Sequence, residues 1–199
     1  MLSIRISSAV LFSLMAAGAL GAQQAPTQPP DDECAVWTAT ISYVYPDSQT
    51  NLILVRDSTT LGLVSAAFNA WSGYPKSLKD QGLDVSQADL DDLKTANAHR
   101  TPVRLCANLG RSCRLLSDAE LKALFGELDH RGWTRFKTAF PTARGFVNVS
   151  RPRFNGDRTQ ALVYAGTQVD WLNGEGQLIL LKREGGTWVV RTHALVWIS

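Results

Sequence analysis

Residues 177–198 read QLILLKREGGTWVVRTHALVWI. Two runs rich in apolar, β-branched and aromatic residues flank Gly185-Gly186, a dipeptide suited to a two-residue hairpin turn. With those glycines as the turn, Leu181 is expected to face Val190, and Ile179 to face Thr192. The same face carries Trp188, Ala194, Val196 and Ile198 and should meet the helices. The opposite face carries Lys182, Arg191 and His193, with Leu180 and Trp197 among them, and should be part-exposed. Upstream, Gly145–Phe154 is extended, and Pro152 places it at an edge or a bulge. Asn155-Gly156 is a second turn signal, and Thr159–Ala165 is its return strand. A polar loop is expected over Gly166–Gly176. The expected architecture is α+β: an antiparallel sheet with a four-stranded C-terminal meander packed on several short helices.

The remainder of the chain divides by pattern. Ala35–Tyr45 (AVWTATISYVY) alternates β-formers and reads as a strand, with Asn51–Arg56 as its short antiparallel partner. Leu63–Trp71 places Val64, Ala67, Phe68 and Trp71 on one helical face. Ser86–Thr95 is a short acidic helix with Ser86 as its N-cap. Ser117–Asp129 opens on Ser117-Asp118-Ala119-Glu120, a capping box. Leu121, Leu124, Phe125 and Leu128 then form one apolar stripe. Gly132 is expected to break that register before a second stripe of Trp133, Phe136 and Phe140, which Pro141 ends. Asn97–Leu115 reads as a long loop.

The N-terminus fixes the compartment. Arg5, an apolar run over Ala9–Leu20 and the small residues up to Ala22 have the order of a secretory signal peptide. The run is too short to span a bilayer, which takes roughly 20 residues. The expected organisation is a signal peptide over 1–22, a flexible Pro-rich leader over 23–33 and a single α+β domain over 34–199. The protein is expected in the periplasm or outside the cell, without stable membrane insertion once the signal is cut. With 20 Lys+Arg against 18 Asp+Glu, no nucleic-acid footprint is expected. Arg144, Arg151, Arg153 and Arg158 read as a solvated basic face. The three cysteines suit an oxidising compartment but are an odd number. Cys106 and Cys113 are the first choice for a bridge, closing a short loop worth about 2.5 kcal/mol on the chain-entropy model; Cys34 with either of them is the alternative.

Residues 132–199 resemble a group of uncharacterised exported bacterial proteins. The shared pattern is Gly132-Trp133, Phe136, Phe140-Pro141, Gly145, Ser150 and Phe154, followed by Gln160-Ala161-Leu162-Val163-Tyr164 and Leu172. Gly174-Glu175-Gly176, Gly186, Trp188 and Trp197-Ile198-Ser199 complete it. The resemblance implies the fold and the exported compartment and brings no activity with it. Members carry two cysteines before the Gly-Glu-Gly, where this chain has Val169 and Asn173.

Catalytic constellations are sparse. No Gly-x-Ser-x-Gly elbow occurs, and the Gly-rich pieces are too short to cradle phosphate. Asp89, Asp91 and Asp92 lack the glycine and terminal glutamate of a calcium loop. His130 suits a helix C-terminus, and His99 lies in a polar loop. His193 gains interest if Glu175 or Asp170 comes within reach. No metal and no cofactor are expected. Trp171, in the polar loop, and Trp197, on the outer face, are aromatics placed for contact. With Glu175, Arg191 and His193 they make the candidate binding set. The function expected is a non-enzymatic envelope or extracellular interaction module, its partner an envelope protein or a glycan. The alternative is a small-ligand pocket or a hydrolase on a cone-shaped α+β fold.

Overall fold

The computed structural model describes residues 32–46, 51–62, 74–105, 109, 112–126 and 131–199. Among the described residues, five helices are α1 (Asp32–Val44), α2 (Tyr74–Asp80), α3 (Gln87–Ala96), α4 (Asp118–Phe125) and α5 (Arg131–Ala139). Seven strands among the same residues are β1 (Leu52–Arg56), β2 (Ser112–Leu116), β3 (Ala143–Val149), β4 (Arg153–Phe154), β5 (Gln160–Asp170), β6 (Asn173–Glu184) and β7 (Thr187–Ile198). They form one sheet in the order β2–β1–β3–β5–β6–β7, with β4 paired to β5 beside that path. The fold is α+β, and from β3 to β7 every pairing is antiparallel. The wholly antiparallel, four-stranded reading is corrected at the other side. There β1 runs parallel to both β2 and β3. Parallel neighbours need crossovers: the chain between β1 and β2 carries α2 and α3, and that between β2 and β3 carries α4 and α5.

The first expected strand is instead α1. Trp37, Ile41 and Tyr45 recur every four residues, a spacing that a strand and a helix both satisfy. Cys34, three residues before Trp37, decides it: all four are buried in one cluster, which a period of two forbids. Ile53, Val149, Val163 and Ile179 of the sheet complete this cluster, so burial against the sheet overrides the β propensity of the threonines and valines. Asp32 and Glu33, expected in the leader, are the first turn of α1. Buried Asp32 accepts from Arg158 Nε at 3.1 Å and from Trp188 Nε1 at 3.4 Å.

The opposite face of the sheet carries α2 and α3 over Leu162, Tyr164 and Leu178, and α4 and α5 over Leu54, Leu116 and Phe146. Both capping signals form as read. Ser86 Oγ accepts from the Asp89 amide at 3.2 Å, and Ser117 Oγ from the Glu120 amide at 3.2 Å. Hydrogen bonds from the Ser117 amide and hydroxyl hold the Glu120 carboxyl below the usual carboxylate range. Gly132 does not break a register; it lies inside α5, where a Cβ would come 2.5 Å from Phe125 Cδ1. The glycine lets α5 press against α4. The helix read over Leu63–Trp71, and Leu128 of the α4 stripe, lie outside the described residues.

The closing hairpin turns at Gly185-Gly186, both at positive φ (54° and 83°). Leu181 pairs with Val190 as expected, but Ile179 pairs with His193 and Leu180 with Thr192. Arg191 is an extra residue there, and Val196 is a second one between the pairs Gln177–Leu195 and Gly176–Trp197. One inserted residue turns every later side chain to the other face. Trp188 therefore packs in the α1 cluster, while Ala194, Val196 and Trp197 pack on the α2–α3 side. The single apolar face of Trp188–Ile198 is corrected to two half-faces. Pairing also continues as far as Asp170–Asn173. The loop expected over Gly166–Gly176 is thus corrected to a two-residue turn, Trp171-Leu172.

The outer edge of β7 is closed at one point. The Leu195 amide donates to Gln81 Oε1 at 3.0 Å, and Gln81 Nε2 donates to the Leu195 carbonyl at 3.3 Å. A side-chain amide there stands in for a further strand. The cysteines depart from the expected Cys106–Cys113 bridge. Cys113 is a thiol, carried into the sheet on β2 opposite Ile53, and Cys34 is the disulfide-bonded cysteine. Cys106 lies outside the described residues.

Candidate functional site

Gly174-Glu175-Gly176 opens β6, and the reason for its glycines lies on one face. The Trp197 indole lies across them: a Cβ at Gly176 would sit 1.9 Å from Trp197 Nε1, and one at Gly174 would sit 3.2 Å from its Cη2. Across the strand pair, a Cβ at Gly166 would meet Tyr164 Oη at 2.5 Å. The bare backbone beds the two aromatics, and Trp197 Nε1 donates to Tyr164 Oη at 2.9 Å. Gly176→Ala is expected to displace the indole and break that bond, at about 1–3 kcal/mol. A lowered urea midpoint with altered near-ultraviolet dichroism checks it; an unchanged midpoint would place the indole elsewhere.

Alternation along β6 turns Glu175 to the opposite face, toward α1. There Thr167 is its cross-strand partner. Both line a cavity of about 240 Å³ with Tyr45, Arg144 and Asn173. Glu175 Oε1 accepts from Gln177 Nε2 at 2.8 Å. Burial pushes the Tyr45 phenol up to about 12; Arg144 draws it down and Glu175 adds to the rise. Tyr43 is also raised, by burial first and by Glu175 second. Both phenols therefore keep their protons at neutral pH, and of the two it is Tyr45 that lines the cavity. Tyr43 Oη stands 2.6 Å from His193 Nδ1.

The candidate residues from the sequence separate. Glu175 lines the cavity. Trp171 occupies the turn beyond it and is 53% exposed, beside Leu172 at 75%. His193 faces α1 as the partner of Tyr43. Trp197 lies on the other face as a half-buried part of the core, so its expected place on a shared outer face with His193 is corrected; the Val196 bulge is the cause. Arg191 is a bulge residue paired with Glu184 near the far hairpin, away from this end of the sheet. The basic face also resolves into ion pairs. Arg151 bonds Glu33 at 2.7 Å, Arg153 bonds Asp89 at 2.9 Å, and Arg158 bonds Asp32 at 3.1 Å. Three of its four arginines thus tie α1 and α3 to the sheet.

Tyr43, Tyr45 and Arg144 were not in the candidate set. The two tyrosines fall in the segment read as a strand, and Arg144 was grouped with arginines that serve elsewhere. A wider, open cleft of about 650 Å³ lies between Thr59–Gly62 and the C-terminal half of α3; the chain that follows Gly62 lies outside the described residues. Among the described residues, no group of three or more His, Cys, Asp or Glu could hold a metal ion. No helix among them is long and apolar enough to cross a membrane. No family model, no curated protein and no solved structure matches the chain.

Proposed function

We propose that this protein is an exported, non-enzymatic module that acts by contact in the periplasm or outside the cell, docking a partner protein on the β5–β6 tip. One observation carries the reading. A two-residue hairpin turn favours Asn, Asp and Gly, yet this one is Trp171-Leu172, more than half exposed at both positions. Ile198, paired with Glu175 at the same end of the sheet, is 70% exposed. The turn does not need large apolar side chains, and a protein contact does: a buried aromatic is a typical anchor of such an interface. The signal-like residues 1–22 and the disulfide at Cys34 support an oxidising compartment. The cavity beside the tip favours the ligand-pocket form of the alternative reading over its hydrolase form. His193 lies against Tyr43, and Glu175 against Gln177, rather than against each other.

A photo-crosslinking residue placed at Leu172 is expected to give a discrete adduct in the native envelope. The same residue at Val189, exposed at the other end of β7, is expected to give none. Equal patterns from the two positions, or none from Leu172, would sink the docking reading. The mass of the recovered chain, expected to begin near Gln23, reports export in the same experiment.

A further inference from the structure

The cavity beside the tip holds a chemistry that docking does not use. Glu175 approaches it from β6 and Arg144 from β3, so its walls carry charges of opposite sign. Among the described residues Glu175 makes no ion pair, whereas the half-buried or buried Asp32, Glu33, Asp89 and Glu120 each have an arginine. A carboxylate drawn partly out of water is stabilised by a cation that comes to it. A guanidinium matches a carboxylate in the same way, through paired N–H donors. The remaining wall is apolar: Val44, Val169 and Ile198. At about 240 Å³ the space lies below the roughly 300–1,000 Å³ of drug-sized pockets, and so suits a molecule of few heavy atoms.

We propose that this cavity binds a zwitterionic α-amino acid with a small apolar side chain. Its ammonium group sits on Glu175, its carboxylate is turned to Arg144, and its side chain lies against Val44, Val169 and Ile198. The Asn173 amide, on the cavity, supplies a further donor to the carboxylate. Gln177 fixes the Glu175 carboxylate through Oε1 and leaves Oε2 for the ammonium. This inference goes beyond the docking reading and stands independently of it.

Calorimetric titration of the full mature chain with L-leucine tests it. Two matched probes accompany leucine: 3-methylbutylamine, which keeps the ammonium alone, and 4-methylpentanoate, which keeps the carboxylate alone. L-leucine is expected to saturate one site, and each half-molecule to bind at least about tenfold more weakly. Glu175→Gln keeps the shape and an acceptor oxygen, and Arg144→Gln removes the guanidinium; each is expected to weaken leucine at least about tenfold. Glu175→Gln is also expected to narrow the gap between leucine and 4-methylpentanoate. Absence of saturable binding up to about 10 mM leucine, a half-molecule that binds as well as leucine, or unchanged binding in Glu175→Gln would each overturn the proposal. If Arg144→Gln does not fold, the two half-molecules and Glu175→Gln still decide it.

Discussion

Trp37→Ala is expected to lower the unfolding free energy by about 3–5 kcal/mol. The indole is 1% exposed, and it is the largest side chain that α1 sets against the sheet. Its removal leaves a cavity that neighbours on a seven-stranded sheet cannot close. The indole N–H also donates to the Ser150 carbonyl at 2.8 Å. Ser150 is fully buried and extends the β3–β5 pairing past the end of β3: its amide donates to the Tyr164 carbonyl at 2.9 Å, and its Oγ accepts from the Tyr164 amide at 2.9 Å. Trp37 thus clamps α1 to the point where the chain leaves β3 for β4. Trp37→Phe separates the two contributions, because it keeps most of the ring and strands the Ser150 carbonyl, at about 1–3 kcal/mol. Urea titration gives both numbers. The midpoint should fall at constant slope, and the thermal midpoint should drop by roughly 2–4 °C per kcal/mol for a chain of this size. A Trp37→Ala variant within about 1 kcal/mol of the parent would show that α1 does not pack where it is described.

The second large effect is expected on the opposite face. Phe136 is fully buried at the centre of an aromatic cluster. Its ring lies 5.2 Å from Trp133, 5.4 Å from Phe140 and 6.0 Å from Phe146, centroid to centroid. Phe136→Ala is expected to cost about 3–5 kcal/mol, with collapse of the near-ultraviolet signal that the stacked Trp133 contributes. Phe125 packs on the same cluster from α4 but is only half-buried, so Phe125→Ala should cost less. Trp37 and Phe136 belong to separate core clusters on opposite faces of the sheet. The double variant should therefore lose the sum of the two single losses within about 0.5 kcal/mol. A markedly smaller sum would mean that the helices on the two faces act through the sheet on each other.

What could be read from residue order alone was local chemistry. The Ser86 N-cap, the Ser117 capping box, the Gly185-Gly186 turn and the hairpin after Asn155-Gly156 each depend on a few neighbouring residues, and each formed. The segment Ala35–Tyr45 failed because residues four apart satisfy both periods, and only its burial under the sheet separates them. Strand order failed for a related reason: nothing in Leu52–Arg56 says that β2 and β3 will flank it in parallel. The bulges at Arg191 and Val196 leave no mark on composition, yet they decide that His193 and Trp197 look in opposite directions. Glycine misled at Gly166–Gly176, where it signalled a loop and in fact clears space for Tyr164 and Trp197. Of the candidate site, Glu175 and Trp171 were legible from the sequence. Tyr45 and Arg144 became visible only when a helix end and four strand ends met.

A sheet whose last strand runs for twelve residues invites extended chains to stack onto it without limit. The Gln81 amide takes the two backbone groups of Leu195 that a newcomer would need to grip, near the middle of that margin's apolar half. Register along the remainder is further spoiled by two inserted residues, so an added chain finds no continuous ladder. The molecule is thereby kept finite, and copies crowded together have one less route into fibrils.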